Sequence, residues 1–443
     1  MKLLTRWLAT GLMAGLSSFA LAGGQPPVLA DFAAVPRLAG HVDVDKLTTQ
    51  LQQMKANTYM WLVWHSQYDW SDLRYFLPKA KAAGIDVWVY LVPHSETPAG
   101  STTFKLYSEP YRTDYVQWAA EIARLSLQHS NLKGYVIDDF VENMIPGRFT
   151  ADYINRMQQA GKSINPALRF YPLVYVSEVN ESLMDTLGPK VDGVVAAYPP
   201  NAQSVRDMVP FLKDNYVLPE RLQLASRYGV DYPAGDGAFA VQRFAVKTPA
   251  QASLQFQFAD DYHYFREGEK YLVVQLDGQT IWQEDVARYD KQQVSIDLAS
   301  RVAGKQYIKL AIGLWDAKLN RNLGVSVILS GLSTPGLVAY PGGSSALSNW
   351  QFEKSNRYNA QWLAARRGAG RFNLPTLVML PAEKFEFQKR TSLTATPSAL
   401  GSKLRELNQL VQTGLVDGVV TYCLDKSEGN PFMKEVANVY ANY

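Results

Sequence analysis

Between about residues 33 and 220 the chain alternates two kinds of segment. Short apolar runs rich in Val, Tyr and Leu occupy 37–42, 59–64, 86–93, 134–140, 169–177 and 192–198. They mostly lack apolar–polar alternation, which is the pattern of parallel strands buried on both faces. Amphipathic stretches lie between them. Segments 45–54 and 70–83 carry apolar residues at three-and-four spacing, and 113–127 sets Tyr115, Trp118, Ile122 and Leu125 on one face. Thr150 is placed to cap a helix running to about Gly161, and 206–215 offers another.

Near residue 236 the pattern changes. From there to about 335 it predicts strands and no convincing helix, with Asp277-Gly278 as a hairpin turn between two of them. This stretch reads as an antiparallel sandwich. After a Gly/Ser/Pro-rich linker at 332–345 the α/β pattern resumes: a helix at 350–367, a strand at 375–381, a helix at 399–413, a strand at 417–424 and a final helix at 431–440. Two strand openings match, Val191-Asp192-Gly193-Val194-Val195 and Val416-Asp417-Gly418-Val419-Val420. Six strands before the sandwich and two after it predict a (β/α)8 TIM barrel with an inserted antiparallel β-sandwich domain. The expected boundaries are a signal peptide at 1–22, barrel at 23–235, sandwich at 236–335 and the rest of the barrel at 336–443. A doubly wound sheet is the alternative, and 221–228 is a possible extra strand.

The chain start changes the picture of location. Lys2 and Arg6 precede an uncharged apolar run from Trp7 to Leu21, and Ala20-Leu21-Ala22 forms a small-x-small cleavage site. This predicts export, to the periplasm or beyond, with no transmembrane segment after cleavage. Without Lys2 and Arg6 the formal charge of +3 falls towards neutrality, which argues against a nucleic-acid partner. The single Cys423 excludes an internal disulfide, and no Cys/His cluster points to a metal or other cofactor. Ten Trp and 25 Tyr are compatible with sugar recognition as well as with core packing.

In a barrel of this kind the chemistry sits at the C-terminal ends of the strands. The fourth predicted strand ends Gly134-Tyr135-Val136-Ile137-Asp138-Asp139-Phe140, with Glu142 and Asn143 just beyond. Two adjacent carboxylates ending an apolar strand are costly unless solvated, paired or used. Alternation lets one face the barrel axis while the other leans towards a neighbouring strand. Like charge at this spacing raises one pKa, leaving one protonated and one ionised carboxyl for acid-assisted glycoside cleavage. The bland reading is a pair of helix-capping acids or a cation site. Other strand ends add Trp64 and His65, Tyr90, His94 and Glu96, Tyr175 and Glu178, Tyr198, Glu383, and Tyr422 and Asp425. Together these describe an aromatic, acidic cleft suited to a carbohydrate substrate. His65 and His94 match no familiar metal spacing. Asp138 or Asp139 with Glu178 is another conceivable acid pair. In the predicted sandwich, Trp282, Trp315, Tyr262 and Tyr264 are either sugar platforms or core, and Asp260-Asp261 is a weak calcium candidate.

The adjacent Asp138-Asp139 at a fourth strand end resembles the catalytic arrangement of the O-GlcNAcase and hyaluronidase-like hexosaminidases. It is more loosely similar to that of chitinases and of the beta-hexosaminidases with an Asp-Glu pair. The resemblance implies that Asp138 polarises the substrate's N-acetyl group, that Asp139 is the general acid/base, and that Tyr198 holds an oxazoline-like intermediate. An alpha-galactosidase-like barrel would need an acid two strands later, where Tyr198-Pro199-Pro200 has none. The expected function is thus an exported glycoside hydrolase acting on a polysaccharide or glycoconjugate by carboxylate acid/base catalysis, and the resemblance implies an N-acetylhexosamine-containing substrate. The rival is a non-catalytic glycan-binding or envelope-assembly protein on the same fold.

Overall fold

The computed structural model describes residues 26–64, 66–96, 108–227, 229–260, 268–286, 291–321, 324–341 and 350–443. The leader segment 1–22, His65, Asp261, Tyr262 and Tyr264 lie outside the described residues. Eight parallel strands close into a barrel: β1 (Val28–Phe32), β2 (Thr58–Val63), β3 (Asp86–Leu91), β4 (Leu132–Ile137), β5 (Arg169–Tyr175), β6 (Val194–Ala197), β7 (Thr376–Pro381) and β8 (Gly418–Tyr422). Each strand packs one set of side chains inward and the other against surrounding helices. Ala30, Met60, Trp88, Val136, Leu173, Val195, Met379 and Val420 fill the barrel interior.

The barrel strand count matches expectation, but the first strand does not. Segment 37–42 forms only a two-residue hairpin, Arg37–Leu38 against His41–Val42. Its polar residues serve the helix α1 (Asp69–Ala82): Arg37 pairs with Asp69 at 2.7 Å, and His41 Nδ1 meets Asp72 at 2.8 Å. The true first strand carries a buried acid, Asp31, that breaks its apolar run. The anticipated Thr150 cap does form, accepting from the Tyr153 amide at the start of α2 (Ala151–Lys162).

The paired Val-Asp-Gly-Val-Val openings have a common geometry. Asp192 accepts the Phe170 amide of the strand beside it at 2.9 Å, and Asp417 accepts the Thr376 amide at 2.7 Å. Each glycine then passes where no side chain fits: a Cβ on Gly193 would meet the Tyr171 ring at 2.3 Å, and one on Gly418 the Val28 carbonyl at 2.2 Å. The motif is a register pin between neighbouring barrel strands.

The insert is built of two antiparallel sheets. One orders Lys291–Asp297, Ser253–Asp260, Ser326–Ser333, Arg221–Ser226 and Tyr358–Leu363; the other orders Gln279–Asp285, Lys270–Leu276, Tyr307–Asp316, Gly237–Val246 and Leu337–Ala339, with Gln351–Lys354 also on Gly237–Val246. The sheets therefore draw on residues outside the anticipated 236–335. The helix expected at 350–367 is instead three strands, Gln351–Lys354, Tyr358–Leu363 and Arg366–Arg367; open edges of both sheets recruit the first two, and Tyr358 and Ala360 are buried at period two. Asp277 and Gly278 adopt φ of 50° and 82°, as the expected hairpin turn requires. Trp282 packs edge-on to Phe256 and Phe258 at 5.7 and 6.1 Å, a core role. Fully buried Lys270 joins Asp316 at 2.7 Å and lies 4.1 Å above the Tyr232 ring.

The chain leaves the barrel after α3 (Ala202–Leu212) and returns just before β7. Outgoing Val217–Leu218 pairs with returning Arg366–Arg367, and Arg371 clamps Asp214 and Asp185, each at 2.8 Å. A helix following β6 ends at the N-terminal side of the barrel, so the insert joins there, opposite the C-terminal strand ends.

Candidate active site

The top inward layer of the barrel is aromatic. Phe32 of β1 lies 4.1 Å from Tyr90 of β3 and 5.2 Å from Tyr422 of β8. Tyr198, just after β6, stands edge-on to Tyr422 at 5.5 Å and 5.9 Å from Tyr175 of β5. Burial, followed by neighbouring charge, raises the pKa of these four phenols, so they act as neutral hydrogen-bond donors.

Asp138 opens into this layer. Alternation along β4 turns Val136 inward, and Asp138 follows it, its amide still held by the Leu91 carbonyl at 3.0 Å. Burial and then the charge of Asp139 push the Asp138 carboxyl up to about 8. The Tyr90 hydroxyl lies against Asp138 and opposes part of that rise. Strict alternation would send Asp139 outward. Its backbone instead turns through φ +36°, and its Oδ1 accepts from the Tyr175 hydroxyl at 2.8 Å. Tyr198 and Cys423 are also left-handed, at +54° and +55°, so three strand ends carry strain at the same rim. The Asp pair thus separates into a deep, proton-holding member and one held by a phenol.

Other anticipated residues divide into three groups. Glu96, Glu142 and Glu178 stand at the rim around the pair. Burial and then the charges of Asp139 and Glu142 raise Glu96, while Glu178 reaches about 7 mainly through burial. Trp64 is half-buried at the rim after β2. Asn143 is fully buried and supports the site: its amide donates to the Asp139 carbonyl at 2.8 Å and to Ser95 Oγ at 2.9 Å, and its Oδ1 accepts from Arg148. Asp425 is exposed and binds the Ser427 amide and hydroxyl, so it shapes its own loop. Glu383, also exposed, caps the helix α4 (Lys384–Thr391) through the Glu386 amide and supplies no acid from β7. His94 packs on Tyr115 and Phe149, and no group of three His, Cys, Asp or Glu among the described residues is placed to hold a metal.

Two members of the site were not anticipated. Phe32 was hidden with its strand. Arg390 of α4 lies 4.8 Å over the Tyr198 ring and 5.5 Å over Tyr175, and pairs with Glu386 at 3.2 Å. Nothing local marks Arg390; the packing of α4 over the mouth brings it there.

No known protein-family profile and no curated protein matches the chain. Solved structures similar to it include a cycloisomaltooligosaccharide glucanotransferase of Paenibacillus sp. complexed with cycloisomaltoheptaose, at 10% identity and a TM-score of 0.29 over 68% of this chain. The chain spans 57% of that protein's length. A family 5 subfamily 18 glycoside hydrolase of Streptomyces cattleya in complex with Manβ1-4GlcNAc is similar at 12% identity and TM-score 0.31, over 40% of this chain and 52% of that one. The family 53 glycoside hydrolase catalytic domain of Ignisphaera aggregans is similar at 16% identity and TM-score 0.30, over 38% and 57%. Function is therefore read from the residues of the site.

Tyr175→Phe isolates one contact in it. Loss of the 2.8 Å bond to Asp139 is expected to lower kcat about tenfold with little change in KM. Steady-state kinetics on a cleaved glycoside check this, and an unchanged kcat would remove Tyr175 from the reaction.

Proposed function

We propose that the protein is an exported glycoside hydrolase acting on an N-acetylhexosamine-containing polysaccharide or glycoconjugate. The observation carrying this reading is the split Asp pair at the mouth of a closed barrel: Asp138 set in an aromatic layer with its carboxyl near pKa 8, Asp139 held by Tyr175. Such a pair shares one proton at neutral pH, which is the charge state substrate-assisted cleavage uses.

One acid protonates the glycosidic oxygen as the C–O bond breaks. The acetamido oxygen attacks the anomeric carbon, and the other carboxylate takes up the positive character that develops on the amide. Water then opens the cyclic intermediate and returns the proton to the acid. The resemblance gives the acid's role to Asp139, whereas the electrostatics favour Asp138 as the resting proton holder. Tyr198 and Tyr422 stand edge-on to each other within the field of Asp138, and the aromatic layer suits the apolar face of a pyranose.

The test is hydrolysis of nitrophenyl glycosides, including the N-acetyl-β-glucosaminide, and of N-acetylated oligomers, by wild type and Asp139→Asn. Cleavage of the N-acetyl sugar that falls at least 100-fold in the variant is expected. Binding of these sugars without any cleavage would replace the enzyme by a glycan-binding protein.

A further inference from the structure

The insert holds a nucleophile that the barrel chemistry does not use. Lys270 opens the strand Lys270–Leu276, directly opposite Asp316 at the end of Tyr307–Asp316. Both side chains are fully buried, and Lys270 Nζ lies 2.7 Å from Asp316 Oδ1. Two further groups close on the same carboxyl. The Tyr358 hydroxyl, from a strand of the opposite sheet, donates to Oδ2, and the Asn320 side-chain amide donates to Oδ1. Lys270 Nζ also donates to the Tyr358 hydroxyl, at 2.7 Å. The buried rings of Tyr232 and Tyr358 wall the ammonium at 4.1 and 4.8 Å.

Such a pocket is a costly place for two charges, since a buried ion pair must recover the desolvation of both members. Burial, against the pull of Asp316, lowers the Lys270 pKa and so favours the neutral, nucleophilic amine. The arrangement also exceeds what an ion pair needs. Each carboxyl oxygen takes a donor besides the lysine, and a phenol bridges Nζ to Oδ2. Nucleophile, carboxyl and proton path are therefore already assembled in one water-excluding site.

We propose that Lys270 and Asp316 condense once the insert has folded, forming an amide between the two side chains as a covalent staple. The Nζ lone pair adds to Cγ of Asp316 and forms the new C–N bond. Two ammonium protons pass in turn over the Tyr358 hydroxyl to Oδ2, the Cγ–Oδ2 bond breaks, and that oxygen leaves as water. Oδ1 remains as the amide carbonyl and keeps the Asn320 donor. One ammonium and one carboxylate thus give one neutral amide and one water, with no further reactant. The product removes both buried charges and ties positions 46 apart in the chain. With one cysteine, the chain has no internal disulfide to serve this purpose. The link constrains the unfolded insert as a disulfide does.

The test is the intact mass of the full chain beside that of Lys270→Arg prepared in the same way. Arginine keeps the positive charge and does not condense. Once the substitution itself is subtracted, the wild type is expected to be lighter by one water. Its tryptic digest is expected to hold a branched peptide that joins the segments of Lys270 and Asp316, uncut after Lys270. A wild type at its full sequence mass overturns the proposal. Loss of one ammonia in place of water also overturns it, by making Asn320 the acceptor, as does loss of water without the branched peptide. Should Lys270→Arg fail to fold, the wild-type digest decides by itself, since the branched peptide is either present or absent.

Discussion

Asp138→Asn is expected to yield a chain that is inactive yet more stable than the wild type. The Asp138 carboxyl sits near pKa 8 in the folded protein against an ordinary 3.8, because burial and the Asp139 charge oppose ionisation. Between those two pH values the folded chain binds a proton that the unfolded chain has released. The unfolding free energy therefore falls as pH rises through that window. An amide at 138 has the same shape and no charge to desolvate, so the penalty disappears. The stabilisation at pH 8 is expected to be roughly 1–3 kcal/mol, and to vanish at pH 4 where the native carboxyl is protonated. Activity should meanwhile fall by about 10²–10⁴, the usual contribution of a positioned acid or base. Thermal unfolding at pH 4 and pH 8, beside glycoside turnover, measures both. A variant destabilised at pH 8 would mean that the carboxylate is held in place for the fold.

The second large effect lies in the seam that closes the barrel. Asp31 of β1 is fully buried; its Oδ2 meets Lys426 Nζ at 2.6 Å and its Oδ1 accepts from Thr421 of β8 at 2.7 Å. The same ammonium donates to the Ala33 carbonyl at 2.8 Å and to the Leu424 carbonyl at 3.2 Å. Lys426 thus joins the first and last strands directly below the rim that holds Phe32 and Tyr422. Desolvation raises the Asp31 pKa despite the lysine, so the acid depends on its partner to stay charged. Lys426→Met is expected to cost about 3–5 kcal/mol, since it leaves a buried carboxylate uncompensated. Asp31→Leu combined with Lys426→Met should recover much of that loss. Urea unfolding of the two variants decides the point. A double variant no better than the single would show that the pair does more than compensate charge.

How far the chain could be read in advance follows from how local each signal is. The strand ending Val136-Ile137-Asp138-Asp139 was legible because an apolar run closing on two acids is conspicuous at short range, and the structure sets both at the barrel mouth. Its alternation also foretold that one acid faces the axis, whereas the left-handed turn that brings Asp139 to Tyr175 is not written in that alternation. The Asp277-Gly278 turn and the Thr150 cap were equally local. The first strand was not legible. Asp31 interrupts Val28–Phe32, and the lysine that makes it tolerable is 395 positions away. For the same reason 350–367 read as a helix: its strands exist because two sheet edges, formed by residues as distant as Arg221 is from Leu363, offer pairing. Asn143, expected to bind substrate, supports Ser95 and Asp139, and Asp425 binds its own loop.

The sequence by itself thus determined the alternating α/β pattern on either side of a β insert, and an apolar strand that ends in two acids. Periodicity, caps and turns act over a few residues and are written in neighbouring positions. Only the tertiary structure decided which strand closes the barrel, which way Asp139 turns, that Arg390 reaches over Tyr175 and Tyr198, and that the carboxyl near pKa 8 is that of Asp138. Burial and charge pairing sum over residues brought together by folding, and no stretch of chain carries that sum.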